Sequence, residues 1–150
     1  MVLTSRRAPL LLLVALLVAG CGGSTALPSP TARSVVNVLE GLALRGATIR
    51  QAVAGDAGCP GVPLHGNAVR LSVTLDDAVE QHEVYLFRWR RLGQYDDAAQ
   101  QFADCVEEYT DRTGAPPDVV ELAPWRAYGP GWPADLRQRV EESLRAAGGR

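Results

Sequence analysis

The residues with the clearest chemistry in this 150-residue chain are its three cysteines, Cys21, Cys59 and Cys105. A thiolate is a nucleophile and a metal ligand, and two thiols can form a disulfide. None of the three belongs to a CxxC motif and no clustered histidines accompany them, so the pattern gives poor support for zinc. The chemistry expected of each cysteine therefore depends on the segment around it.

The segment before Cys21 has the order of a targeting sequence. Arg6 and Arg7 precede an unbroken apolar run, Leu10 to Ala19, which is far shorter than the roughly 20 residues that a membrane-spanning helix needs. The run ends in Leu17-Val18-Ala19-Gly20-Cys21. Residues 1–21 therefore resemble the leader of a bacterial lipoprotein, whose lipobox is a branched apolar residue, two small residues and a cysteine.

The resemblance implies that Cys21 carries a diacylglycerol on its sulfur and becomes the mature N-terminus. Val18, Ala19 and Gly20 are then the residues that the signal peptidase recognises. Because two or more acyl chains give stable attachment, we expect the protein to be anchored to the cell membrane or envelope, on the extracytoplasmic face. The alternatives are an ordinary secretory signal cut nearby and an uncleaved short anchor. The resemblance implies nothing about the chain beyond residue 21.

The leader and the composition of the residues that follow it divide the chain into three parts. We predict a signal peptide at 1–20, a flexible tether rich in Gly, Ser and Pro at 21–30, and one domain at 31–150. Cleavage would leave 150 − 20 = 130 residues with 13 arginines, no lysine and 17 acids, a net charge of 13 − 17 = −4. This balance excludes a nucleic-acid binder that depends on phosphate contacts.

Export by such a leader would place the two remaining cysteines in a compartment that permits disulfides. A bond between Cys59 and Cys105 would close a loop across 105 − 59 = 46 residues. In the chain-entropy account such a loop stabilises the fold by roughly 4 kcal/mol. The sequence leaves open two buried thiols or a metal site as alternatives, and we predict the disulfide.

No catalytic set or metal site emerges from the other polar residues, and no cofactor is expected. The two histidines, His65 and His82, stand apart from further ligands, and the chain contains no HExxH, G-x-S-x-G or phosphate-binding glycine loop. Adjacent acids occur at Asp76-Asp77, Asp96-Asp97 and Glu107-Glu108. Neighbouring acids usually point apart, so we interpret these pairs as solvated rather than as paired carboxylates for glycoside chemistry.

One aromatic segment is a candidate ligand site. Three of the nine aromatic residues fall within eight positions, and we predict that Trp125, Arg126, Tyr128 and Trp132 bind a ligand by stacking and cation–π contact. The competing interpretation is that the tryptophans dock the last helix against the sheet, beside Trp89. Arginines 88, 90 and 91 around Trp89 either line a surface or reflect the arginine-only composition.

Hydrophobic periodicity predicts seven elements in the order α-β-β-β-α-β-α. The predicted segments are a helix from Thr31 to Gly46, strands at 47–53, 68–75 and 82–90, a helix over about 95–113, an edge strand at 118–122 and a helix from Pro133. The second and third strands are expected to form an antiparallel hairpin, with the third strand interior. We therefore predict an α+β domain, a small and mostly antiparallel sheet packed by two to three helices.

Two functions are compatible with these features. We expect a membrane-anchored extracytoplasmic lipoprotein without enzymatic activity, a binding or accessory module for an envelope protein or ligand. The alternative is a small envelope hydrolase, with carboxylates or His82 beside an aromatic-lined cleft. The two differ in whether such a cleft gathers acids or His82 beside Trp125 and Tyr128.

Overall fold

The computed structural model describes residues 30–76 and 78–148 and shows a five-stranded antiparallel sheet with helices on both faces. The elements are α1 (Pro30–Leu44), β1 (Ala47–Ala54), β2 (Ala68–Leu75), β3 (His82–Arg88), α2 (Leu92–Asp97), α3 (Ala99–Thr113), β4 (Asp118–Leu122), β5 (Trp125–Gly129) and α4 (Ala134–Gly148). The α+β class predicted from the sequence is confirmed.

The strands lie in the order β1-β2-β3-β5-β4, and each neighbouring pair is antiparallel. The predicted hairpin is present, with Leu71 of β2 opposite Val84 of β3. Alternating apolar residues make this hairpin, because alternate side chains of a strand face opposite sides of a sheet. The interior position of β3 and the edge position of β4 agree with the prediction.

The two faces of the sheet carry separate cores. On one face, α1 and α4 pack through Leu42, Leu136 and Val140 against strand residues such as Leu71. On the other face, α3 packs against aromatic side chains of β3 and β5, including Phe87. The sheet is therefore the middle layer, and its two covered faces explain why β3 is apolar on both sides.

The structure adds one strand and divides one helix relative to the prediction. Residues 125–129, expected to be a connection, form β5 between β3 and β4. The predicted middle helix consists of α2 and α3, which meet at Ala98. The added strand places the aromatic segment in the centre of the fold, and the division creates a separate short helix beside the end of β3.

The predicted signal peptide, Val18, Ala19, Gly20, Cys21 and the tether up to residue 29 lie outside the described residues. Over residues 30–76 and 78–148, no helix combines the length and the apolar character needed to cross a membrane.

Candidate functional site

The cysteine pair joins α3 to the glycine-rich loop that follows β1. The sulfurs of Cys59 and Cys105 lie 1.97 Å apart, at disulfide distance, and both residues are buried. The Tyr128 hydroxyl donates to the Ala57 carbonyl oxygen at 2.5 Å, and Arg112 donates to the carbonyl oxygen of Gly58. The two cysteines predicted to pair therefore lie at disulfide distance, and they hold the loop against the buried face of α3.

A small cavity of about 330 Å³, the loop cleft, lies between this loop and β2 and β3. Arg70 lines this cleft, and its guanidinium donates hydrogen bonds to Asp56 at 2.7 Å and to Glu83 at 3.1 Å. The hydrogen bond to Asp56 is the main cause that raises the pKa of Arg70. Tyr85 donates to Glu83 at 2.9 Å, and burial raises the pKa of its hydroxyl above the usual range. Because Arg70 binds both carboxylates, this network holds the loop to the sheet.

The predicted ligand-binding aromatics face protein rather than solvent in this structure. Trp125 and Trp132 belong to the core that packs against α4. Tyr128 belongs to the core on the other face, where its ring stacks on that of Tyr85 at 4.9 Å. This arrangement is the one that the docking interpretation describes, except that Trp89 lies on the face opposite Trp125. These rings are buried within the two cores, where they stabilise the fold.

Arg126 is a buried cation, with 4% of its side chain exposed, enclosed by aromatic rings. Its guanidinium lies 3.8 Å from the ring centroid of Tyr95, 5.1 Å from that of Trp89 and 5.4 Å from that of Phe102. It donates to Glu121 at 2.6 Å and to the Tyr95 carbonyl oxygen at 2.9 Å. Arg126 therefore fastens the short helix α2 to the sheet through both charge and stacking.

The side of α2 that faces the end of the sheet forms one wall of a larger, polar concavity of about 720 Å³, which we term the polar groove. Its volume lies within the range of small-ligand sites, about 300–1,000 Å³. The lining consists of Gly66, Asn67, Arg88, Trp89, Arg90, Gln94, Asp97, Ala98 and Gln101. The groove is therefore built from the short turn that precedes β2, the end of β3 with the two residues after it, and the α2–α3 junction.

The helical wall of the polar groove presents three polar side chains from one face. Gln94, Asp97 and Gln101 are separated by three and four residues, the spacing that aligns side chains along a helix. Among the residues that the structure describes, none forms a hydrogen bond with these three side chains. They are exposed, so their donors and acceptors are available to a ligand.

Two arginines contribute to the opposite wall of the polar groove. Arg88 and Arg90 line it, and the Arg88 guanidinium lies 5.5 Å from the ring centroid of Trp125, which belongs to the core on the other face of the sheet. Burial is the main cause that lowers the pKa of Arg88, and the positive charge of Arg90 lowers it further. The Asn67 amide donates to the Arg88 carbonyl oxygen at 2.6 Å and joins β2 to the end of β3. The side chain and the carbonyl oxygen of Arg88 therefore both brace this wall against neighbouring segments.

The structure does not gather the other chemical candidates into one site. His65 lies in the loop cleft, its Nδ1 3.0 Å from the Gly55 carbonyl oxygen, whereas His82 is half-buried at the start of β3. Glu108 accepts a hydrogen bond from the Gly61 amide, and Asp97 lines the polar groove. In the described part of the chain, no three His, Cys, Asp or Glu side chains are grouped as metal ligands.

The sequence contained part of the signal for the polar groove. The spacing of Gln94, Asp97 and Gln101 predicts a polar helical face, and the cluster of arginines around Trp89 is compatible with a surface. The contribution of Asn67 could not be found in this way, because it depends on the register that places the start of β2 beside the end of β3.

Comparison with known proteins identifies no relative of the chain: no protein family, curated protein or solved structure matches it.

Proposed function

We propose that this protein is a lipid-anchored extracytoplasmic binding module of the cell envelope, which holds an envelope component in the polar groove. The observation that carries the proposal is the buried Cys59–Cys105 pair at disulfide distance, downstream of the lipobox-like segment that ends at Cys21. Two independent kinds of cysteine chemistry thus favour the same compartment.

The compartment follows from redox chemistry. Disulfides form and persist in secreted and envelope proteins, whereas cytosolic thiols are kept reduced. Residues 59 and 105 are 1% and 0% exposed, so the bond is shielded from small reductants as a structural disulfide is. A leader that delivers the chain across the membrane and a domain fastened by a disulfide are consistent with one another.

The lining of the polar groove favours recognition over catalysis. Its nine residues include three side-chain amides, two guanidinium groups and one carboxylate, but no serine, cysteine or histidine. Amides and arginines orient and bind polar ligands, whereas acyl or phosphoryl transfer needs a nucleophile beside a base. Arg126 holds α2 in place, so the wall is organised before a ligand arrives.

Metabolic labelling with an alkyne fatty acid tests the anchor. We expect the wild-type protein to incorporate the label and to fractionate with membranes, and Cys21→Ala to lose both properties. Cys59→Ala is the matched control, because it removes a thiol that is not proposed to carry lipid and should keep the label. Label retained in Cys21→Ala would contradict the proposal.

A further inference from the structure

We propose that the edge of the sheet at β4 binds an extended segment of a partner protein, in which basic and apolar residues alternate. This surface is separate from the polar groove and from the lipid anchor, so the inference goes beyond the proposed function. The features that support it are the open side of β4, two recesses that flank the strand, and the charges that line them.

Strand β4 lies at one edge of the sheet. In the described part of the chain it pairs only with β5, from Asp118 to Leu122, without a shift in register. An edge strand presents backbone N–H and C=O groups that can pair with a further strand. The Arg137 guanidinium donates to the Val119 carbonyl oxygen at 3.5 Å. That distance is the outer limit of a hydrogen bond, so the open side is only weakly covered there.

The opposite edge strand, β1, is less suited to pairing with a partner. Its register with β2 shifts between Ile49 and Gln51. A bulge of this kind bends the strand, increases its twist and interrupts the pairing, which protects a sheet edge. The regular strand β4 is therefore the better template for an added strand.

The first recess lies on the side of β4 that faces α3. This cavity of about 390 Å³, the acidic recess, is bounded by Val119 and Glu121 of β4 and by Ala103, Val106 and Glu107 of α3. Among the described residues that line it, the two glutamates are the only charged ones. Glu107 is exposed and has no hydrogen bond or ion pair with any described residue. A basic side chain could therefore lay its aliphatic stem on Val106 and place its charge beside both carboxylates.

The second recess lies on the side of β4 that faces α4. This cavity of about 280 Å³, the apolar recess, is bounded by Leu122, Ala123, Leu144, Arg145 and Gly148. An apolar side chain fits between the two leucines, whereas a basic side chain would meet Arg145. Because alternate side chains of a strand point to opposite faces, an added strand would place one set in each recess. Basic residues toward α3 and apolar residues toward α4 match both linings.

Two competing occupants match these linings less well. A second copy of β4 would bring its own acids, Asp118 and Glu121, to an edge that already carries carboxylates. Residues 21–29 of this chain contain no charged side chain and include Pro28, which lacks the N–H that a strand donates. The charges of the acidic recess therefore favour a partner with basic residues.

Isothermal titration of the full chain in non-ionic detergent micelles tests the assignment. The probe is the peptide acetyl-Val-Arg-Val-Arg-Val-Arg-amide, and titration into empty micelles is the blank. We expect this peptide to bind. The same peptide with glutamate in place of arginine should bind at least about tenfold more weakly, because like charges then meet in the acidic recess. Added salt should weaken the binding of the basic peptide.

N-methylation of the peptide tests the strand pairing itself. An N-methyl group removes the amide proton, and alternate amides of a strand face the same neighbouring strand. Methylation of the three valines and methylation of the three arginines should therefore differ. One of the two should weaken binding by at least about tenfold and the other by less than about twofold.

Variants of the acidic recess locate the binding. Glu107→Gln removes an exposed charge and should weaken the basic peptide by about two- to fivefold. Ala103→Arg places a cation in the recess and should weaken it by about tenfold or more. Glu80→Gln is the matched control: it removes the same charge from the exposed connection between β2 and β3, so the affinity should be unchanged.

Four results would overturn the inference: no binding of the basic peptide, equal binding of the acidic peptide, equal effects of the two methylations, or undiminished affinity in Glu107→Gln and Ala103→Arg. A wild-type dimer that the basic peptide does not dissociate, measured by analytical ultracentrifugation, would also overturn it and assign the edge to a second copy. None of these measurements depends on the polar groove or on lipid at Cys21, so failure here is distinguishable from failure of the proposed function.

Discussion

The buried ion pair of Arg126 and Glu121 offers a quantitative test of how α2 is held. Arg126 is almost fully buried beneath three rings, whereas half of the Glu121 side chain is exposed. Glu121→Gln keeps the shape of the acid and removes its charge. The guanidinium then remains buried without a countercharge, with the Tyr95 carbonyl oxygen and the amide oxygen of the new glutamine as neutral acceptors.

The expected cost follows from this asymmetry. Removing one partner of a fully buried pair costs about 3–5 kcal/mol, and an exposed pair contributes about 0.2–1 kcal/mol. Because the carboxylate is half-exposed at 2.6 Å from the guanidinium, Glu121→Gln should lower the free energy of unfolding by about 2 kcal/mol. In an Arg126→Met background, which leaves no buried cation, the same change should cost less than about 0.5 kcal/mol.

The assay is urea unfolding of wild type, both single variants and the double variant, followed by far-UV circular dichroism. Equal m-values would show that the four proteins unfold from equally compact states. The predicted coupling free energy is about 2 kcal/mol. A coupling below about 0.5 kcal/mol is what an exposed surface pair gives, and it would refute the role assigned to Arg126.

Three other perturbations have expected outcomes. Replacing both Cys59 and Cys105 by alanine should lower the free energy of unfolding in urea by about 4 kcal/mol, because the bond spans 46 residues; no change would contradict a disulfide. The Asp76 carboxylate binds an arginine of α4, whose hydrogen bond lowers the pKa of Asp76 below its usual 3.8. The stability that the ionised Asp76 gains from this arginine is fully present above pH 3.8 and is lost as the pH falls through the lowered pKa. The melting temperature of Asp76→Asn should therefore vary less with acidification than that of wild type. Gly58→Ala should destabilise the protein by more than about 1 kcal/mol, because the residue has φ +70° and its Cβ would lie 2.5 Å from a buried tyrosine hydroxyl; Gly114→Ala, at φ +76° with open space around its Cβ, should cost less in the same thermal melt.

The sequence predicted the elements whose side chains alternate or repeat with a clear period. Val69, Leu71 and Val73 alternate with Arg70, Ser72 and Thr74, and this alternation predicts β2 with its observed bounds, although Ser72 and Thr74 are buried. The helix around Phe102 was found from its apolar stripe, although its division at Ala98 was not.

Strand β5 was missed for a physical reason. All five of its residues are buried, so neither face is solvated and no alternation marks the strand. Arg126 in its middle is polar by type, yet aromatic rings and Glu121 compensate its charge within the fold. A single sequence cannot show that compensation, since the partners come from α2, α3, β4 and the residue that follows β3.

Only the helical wall of the polar groove could be predicted from the sequence. Gln94, Asp97 and Gln101 share a helical face through their spacing, whereas Asn67 and Arg88 meet them through strand register and the packing of α2. The spacing of residues thus identifies which side chains share one face of a helix. The pairing of strands that are distant in sequence determines which faces meet in the folded protein.

The most direct measurement for the lipid-anchored account is intact mass spectrometry of the protein extracted from membranes, with sequencing of its N-terminal peptide. The account predicts a mature chain of 130 residues that begins at Cys21, carries the added mass of at least two acyl chains, and is 2 Da lighter than its reduced form because Cys59 and Cys105 are joined. An unacylated N-terminus, or one that lies elsewhere in the chain, would contradict it.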